Sequence, residues 1–144
     1  KAVSLGMVTY VAIVPNTLMP RKRKLTLSQA LAELPLATQT TDGQFTAGLR
    51  DMAEGHGVSL KPVLACQSFP QTMAALKTGR FWSIVPEMAA RDLTPDSVHQ
   101  IPDDALGALA REAMLAWNPR LVRIRPGASK VASALHSILQ AKRA

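Results

Sequence analysis

The sequence has 144 residues, 47% of them hydrophobic and 19% charged, with a formal net charge of +7. A chain of that length fits one domain able to bury roughly 68–70% of the surface it exposes when unfolded, and it is too apolar for a disordered tail. Its longest apolar stretch, Leu5 to Pro15, is interrupted by Thr9 and falls short of the ~20 apolar residues a membrane-spanning helix needs.

From Met7 to Val14 the chain is rich in Val, Tyr and Ile and stops at Pro15, which predicts a strand buried on both faces followed by a turn. A basic run, Arg21, Lys22, Arg23 and Lys24, then reads as a solvated surface loop, although phosphate contact by such a cluster is the other reading. Thr26 and Gln29 have the Thr-x-x-Gln spacing of a capping box, so a short helix opens at Thr26 and ends at Pro35. Leu34 to Ala37 reads as a short strand, with Thr38, Gln39, Thr40, Thr41, Asp42 and Gly43 as a polar loop behind it.

Thr41 and Gln44 repeat the capping spacing. Phe45, Leu49 and Met52 then recur on one helical face, with Gly55 as the left-handed stop and Arg50, Asp51 and Glu54 toward solvent. Val63 to Cys66 is the next strand. Ser68 and Gln71 give a third capping box, with Pro70 in the first turn, Phe69, Met73 and Leu76 inward, and Gly79 closing the helix. Phe81 to Val85 reads as a strand ended by Pro86, Glu87 to Arg91 as a short helix, and Thr94 to Asp96 as a turn. Strands follow at Val98 to Ile101 and Ala113 to Trp117. The intervening 103–110 stretch mixes helix formers with Gly107 and has no clear assignment. Pro126 starts a last helix with an apolar stripe at Val131, Leu135 and Ile138. Strands alternating with helices across short connections imply an α/β domain with a mostly parallel sheet.

Catalytic and metal patterns are weak. His56, His99 and His136 are widely spaced and the chain has one cysteine, Cys66, so no metal cluster or cofactor motif is recognisable. Cys66 reads as a small buried hydrophobe, and a chain without an internal disulfide suits a reducing cytoplasm. Asp103 with Asp104 is better read as a solvated turn than as an acid/base pair. The candidate site is a pair of helix starts placed just after strand ends: Gln39, Thr40, Thr41, Gln44 and Phe45 at one, Gln67 and Ser68 at the other. Unpaired N–H groups there favour carboxylates and phosphates, and crevices in open α/β sheets lie beyond the carboxyl ends of the strands. Each residue alone has a plainer role: Thr41 and Ser68 as caps, Phe45 as a core anchor. Together they read as a binding crevice.

The order of segments resembles the LysR-type transcriptional regulators. The resemblance is carried by "YVAIVPNTLMP" with "LTLSQALAELPLA", by "QFTAGLRDMAEGHGVSLKPVLACQS", and by "MAALKTGRFWSIVPEMAARDL" with its Gly79 to Pro86 segment. Phe81 stands where the family usually has a second glycine, and the four-residue basic run is not typical of it. The resemblance implies a type 2 periplasmic-binding-protein-like fold, with a complete second lobe and the C-terminal part of the first. Residues 1–10 would be a first-lobe remnant and crossing strand, 11–115 the second lobe, and 116–144 the C-terminal part of the first lobe. The family's winged helix-turn-helix has no counterpart in these residues, so DNA contact would belong to a segment before Lys1.

By position, the resemblance assigns Gln44, Phe45 and Ser68 to an effector pocket and adds Met114 on a returning strand. It implies a small-molecule effector such as a carboxylate or aromatic acid, a homo-oligomer, no membrane association, and binding without turnover. A solute-binding protein of a transport system, which uses the same fold, is the alternative.

Overall fold

A computed structural model describes residues 1–21, 24–125 and 127–141. They form two compact units, one of Lys1–Val8 with Arg111–Ala144 and the other of Thr9–Ala110. Two of the four residues in the expected basic loop, Lys22 and Arg23, and the expected helix start at Pro126, lie outside the described residues.

The larger unit is a five-stranded arrangement. Strand β2 (Tyr10–Pro15) pairs antiparallel with both β5 (Ser83–Pro86) and β6 (Val98–Ile101). Strands β3 (Ala37–Gln39) and β4 (Leu64–Cys66) pair parallel. A parallel bridge between Leu36 and Trp82 joins the two groups, with Ala37 N–H on the Trp82 carbonyl at 2.9 Å and Trp82 N–H on the Pro35 carbonyl at 3.0 Å. The four strands β3 to β6 therefore run in one direction, as the alternation of strands and helices implies. Only β2 runs against them, and because it lies between β5 and β6, both of its ladders are antiparallel.

Helices α1 (Leu27–Glu33), α2 (Gly43–Gly55), α3 (Phe69–Lys77) and α4 (Glu87–Ala90) are the crossover segments. The Thr26–Gln29 capping box is complete: Gln29 N–H donates to Thr26 Oγ1 at 3.2 Å and Thr26 N–H to Gln29 Oε1 at 3.0 Å. Strand β2 is buried on both faces, with Ala12, Ile13 and Val14 all inside. One side packs Ile13 and Val85 against Met73 and Leu76 of α3 and against Leu93. Phe45 and Leu49 of α2, Trp82 and Ile84 are fully buried as well, and the Trp82 indole N–H is satisfied by the Leu34 carbonyl at 3.2 Å. Burying an aromatic or Leu side chain contributes about 1.5–3 kcal/mol, and these side chains fix the sheet that carries the helix starts.

Several boundaries differ from expectation: the strand expected at Phe81 to Val85 begins at Ser83 and includes Pro86, which pairs with Tyr10, and the one expected at Ala113 to Trp117 is Arg111–Ala116. The anticipated strand from Met7 to Val14 is two strands, β1 (Ala2–Val8) and β2. The chain changes pairing partner at Thr9: up to Val8 it pairs with the Arg111–Ala116 segment, and from Tyr10 on with β5, a ladder that Thr9 continues in register by accepting the Glu87 N–H on its carbonyl at 2.9 Å while its hydroxyl donates to Glu87 Oε2 at 2.6 Å. The anticipated strand at Leu34 to Ala37 lies later, so Thr38 and Gln39 are strand and not loop; Leu34 is occupied in capping α1, its N–H on the Ala30 carbonyl at 3.0 Å. Gly55 does not supply the left-handed stop of α2. It is the last helical residue, and the left-handed position is Gly57, at φ 71°. Gly79 does end α3 with φ 72°. The unassigned 103–110 stretch is a 3-10 turn over Asp104–Leu109, started by Asp103, which accepts the Ala105 N–H at 2.9 Å.

In the smaller unit, β1 pairs antiparallel with β7 (Arg111–Ala116), with a register shift between Ser4 and Gly6 and Gly6 at φ 99°, a bulge conformation that glycine adopts without steric cost. Helix α5 (Pro119–Ile124) was not anticipated. Its signal is Asn118-Pro119: Asn118 Oδ1 accepts the Arg120 N–H at 2.9 Å, and proline suits a first helical position. Helix α6 (Gly127–Ala141) carries the expected stripe of Val131, Leu135 and Ile138, which is exposed. No helix among the described residues is long and apolar enough to cross a membrane.

Candidate functional site

Strands β3 and β4 end side by side, with Gln39 opposite Cys66, and each runs into a helix, so the starts of α2 and α3 are neighbours by construction. Hydrogen bonds tie the two turns together. Thr40 N–H donates to the Cys66 carbonyl at 3.0 Å, and Thr41 Oγ1 donates to the Gln67 carbonyl at 2.8 Å. Gln39 Nε2 in turn donates to Thr41 Oγ1 at 3.1 Å. Gln67 N–H donates to Gln71 Oε1 at 2.7 Å. The result is a polar ledge beyond the carboxyl ends of the strands, where Thr40, Thr41, Gln44 and Gln67 are exposed, and Gln39 and Ser68 partly so. Gln39 Oε1 is shielded from solvent and has no donor among the described residues, so the fold leaves part of this side chain's hydrogen-bonding capacity unused.

Beneath the ledge the aromatic rings interlock. Tyr10 stacks on Phe45 with centroids 5.1 Å apart, and Phe45 meets Phe69 edge-on at 5.5 Å. Phe45 is fully buried. Its place in the candidate site is therefore that of an anchor holding the first turn of α2 against the first turn of α3, and its ring is not presented to solvent.

The cap of α2 is Asp42, not Thr41. Asp42 Oδ1 accepts the N–H groups of Gln44 at 3.1 Å and Phe45 at 3.0 Å, as befits a carboxylate at the positive end of a helix. Thr41, one residue too early, is released to bridge to Gln67. At α3 the expected cap holds in part: Gln71 N–H points to Ser68 Oγ at 3.5 Å, but Gln71 Oε1 returns to the N–H of Gln67 instead of Ser68.

The two turns therefore differ electrostatically. The first turn of α2 already carries its own carboxylate. The first turn of α3 has no acidic residue, and its cap is a neutral hydroxyl. The Phe69 N–H has no acceptor within the helix, as at any first position, and Pro70 has no N–H to compete.

Met114 lies on β7 in the smaller unit, about half exposed, whereas the other seven predicted residues lie in the larger unit. Sequence reasoning missed Asp42, which it treated as loop although Asp ranks among the best caps. It also missed a recess of about 620 Å³ lined by Thr9, Tyr10, Gln100, Asp103 and Leu106. The readable signal for that recess was Thr9, a hydroxyl inside an apolar run. Near it, His56 Nε2 is 3.5 Å from Asp103 Oδ2, without the alignment of a hydrogen bond. Among the described residues no group of three or more His, Cys, Asp or Glu could hold a metal ion.

The family model for the LysR substrate binding domain matches residues 1–139. No curated protein matches in sequence. Among solved structures, the regulatory domain of HypT from Salmonella typhimurium, in a bromide-bound form, is similar with a TM-score of 0.66 at 17% identity, over 96% of this chain and 65% of that one. The regulatory domain of MexT, a transcriptional activator in Pseudomonas aeruginosa, gives 0.63 at 19% identity, over 95% and 64%. CbnR, described as a LysR family transcriptional regulator, gives 0.58 at 16% identity, over 79% of this chain and 39% of its own. The chain thus spans a little under two thirds of the two regulatory domains and two fifths of CbnR. At these identities the likeness is one of fold, that of the type 2 periplasmic-binding-protein-like α/β domains.

Proposed function

The chain belongs to the LysR substrate-binding-domain family, and from that membership we propose that it is the effector-sensing part of a bacterial LysR-type transcriptional regulator. In this reading Thr9–Ala110 is the second lobe, and Lys1–Val8 with Arg111–Ala144 is part of the first. The effector is a small carboxylate or aromatic acid. Its carboxylate sits at the first turn of α3, against Ser68 and the Phe69 N–H. Thr40, Thr41, Gln39, Gln44 and Gln67 supply neutral hydrogen bonds that orient the rest of the molecule.

The observation that supports this reading best is the Thr41 to Gln67 hydrogen bond. It joins two polar helix starts into one surface at the carboxyl edge of the sheet, and only one of the two starts is already neutralised by its own acid. The role is binding without turnover in the cytoplasm. The effector biases the arrangement of a homo-oligomer, and with it DNA binding by a winged helix-turn-helix, only by the difference in its affinity for the two arrangements. The transport-protein alternative shares the fold, but the family model that matches is the regulators' own, and this does not favour it.

The reading is tested by thermal shift of the chain against a panel of small carboxylates, with Ser68→Leu as the control variant. At least one carboxylate should raise the melting temperature of the parent and leave Ser68→Leu unmoved, while the variant keeps the parent's circular dichroism. Equal stabilisation of parent and variant would remove the α3 turn from the site.

A further inference from the structure

The chain passes between its two units at Val8 to Thr9 and again at Ala110 to Arg111. Tyr10 follows the first passage and Leu109 precedes the second, and both are buried inside the larger unit. One helix packs against both of them. The Phe45 ring, in the first turn of α2, stacks on Tyr10 with centroids 5.1 Å apart. Further along the helix, Leu109 lies against Gly48: a Cβ placed on Gly48 would stand 3.1 Å from Leu109 Cδ2, tighter than an ordinary contact. Glycine weakens the middle of a helix, and here its missing side chain lets the leucine reach the backbone.

That contact is one end of a longer seam. The 3-10 turn Asp104–Leu109 starts from Asp103, whose Oδ2 is 3.5 Å from His56 Nε2 at the far end of α2. Gly48 and His56 are about 12 Å apart along an α-helix, and Asp103 and Leu109 are about 12 Å apart along a 3-10 turn. The turn therefore lies along α2 and runs the opposite way, with Leu106 and Leu109 buried. Close-packed side chains of this kind pass a displacement on instead of absorbing it.

We infer that α2 couples the ledge to both passages: a ligand that shifts the start of α2 moves Thr9 through Phe45 and Tyr10, and Ala110 through Gly48 and Leu109. This route rests on the reading of the ledge as the effector site, and it gives that site a way to act outside the larger unit. Both passages lean on a single helix, so one binding event biases both, by the difference in the ligand's affinity for the positions α2 can take.

The test follows amide resonances of the isotopically labelled chain by NMR. Three of them report the passages without belonging to the ledge. Glu87 N–H donates to the Thr9 carbonyl at 2.9 Å, Leu106 N–H to the Asp103 carbonyl at 3.2 Å, and Ala110 N–H to the Gly107 carbonyl at 3.1 Å. Thr41→Val removes the bond to Gln67 with no change of charge and no ligand, and it should move all three. Saturating benzoate on the parent should move the same three. Leu109→Val withdraws the Cδ2 methyl from Gly48 and keeps a buried apolar side chain, where Leu109→Ala would leave a cavity; its Trp82 indole N–H should resonate as in the parent. In the Leu109→Val background the responses of Leu106 and Ala110 should be lost and that of Glu87 kept. The coupling is overturned if these resonances stay still in Thr41→Val, if benzoate moves the ledge amides and leaves them still, or if Leu106 and Ala110 respond undiminished in Leu109→Val. Benzoate that moves no ledge amide, while Thr41→Val still moves all three, would remove the ligand site and leave the coupling standing.

Discussion

Thr41 Oγ1 donates to the carbonyl of Gln67 at 2.8 Å, and this bond, beside that of Thr40 N–H to the Cys66 carbonyl, fastens the start of α2 to the start of α3. Thr41 is exposed, so the bond competes with water and its net contribution falls at the lower end of the usual 0.5–1.5 kcal/mol. Thr41→Val should lower the melting temperature by about 2–4 °C and reduce carboxylate binding by more than that loss of stability accounts for, because the ledge loses this link. A calorimetric melt and a binding titration on the same sample separate the two effects. Lower stability with unchanged binding would make the bond merely structural.

Asp42 and Ser68 cap neighbouring helices with opposite electrostatic consequences. Asp42→Ala should cost about 1 kcal/mol, whereas Asp42→Asn, which keeps an acceptor for the Gln44 and Phe45 N–H groups, should be close to neutral in stability. The Asn variant also uncovers the positive end of α2. It should therefore bind small carboxylates at least as well as the parent, measured by titration in low salt. Weaker binding in Asp42→Asn would mean that the Asp42 carboxylate itself contacts the effector.

Phe45 was a candidate pocket residue by its position at a helix start, but its ring is fully buried between Tyr10 and Phe69. Phe45→Ala should destabilise the larger unit by about 3–5 kcal/mol, the range for deleting a buried aromatic ring. Chemical denaturation measures this directly. A loss below about 1 kcal/mol would indicate that the ring is not part of the core.

Much of this fold was legible because its signals are local. Thr26 with Gln29, Ser68 with Pro70, and Gly79 each specify a helix end through their own backbone geometry, and the structure places helix ends at all three. The alternation of strand and helix carried the common direction of β3 to β6. The long-range facts were not local. Nothing in the run from Leu5 to Pro15 says that Val8 pairs with Arg111 and Tyr10 with Pro86, so that a change of partner at Thr9 divides one apparent strand into two. Nor does apolar composition say that β2 runs against its neighbours.

At the site, Thr41 and Asp42 are both good caps in adjacent positions. Which of them the helix uses depended on the Gln67 carbonyl, supplied by the turn after β4, 26 residues further on. The apolar stripe of α6 was readable from its period, but its exposure was not, because periodicity shows which side chains share a face and not what covers them.

The central claim is that the first turn of α3 is the place where a carboxylate binds. The most direct measurement is an NMR titration of the isotopically labelled chain with benzoate, comparing the parent with Ser68→Asn and Ser68→Asp, two substitutions that both preserve an N-cap. In the parent the largest saturable shifts should fall on the amides of Ser68, Phe69 and Gln71, with smaller ones at Thr41 and Gln44. Ser68→Asn should retain them and Ser68→Asp, which places a like charge in the site, should abolish them. Benzoate shifts that persist in Ser68→Asp, or that fall only on residues outside these two turns, would contradict the account.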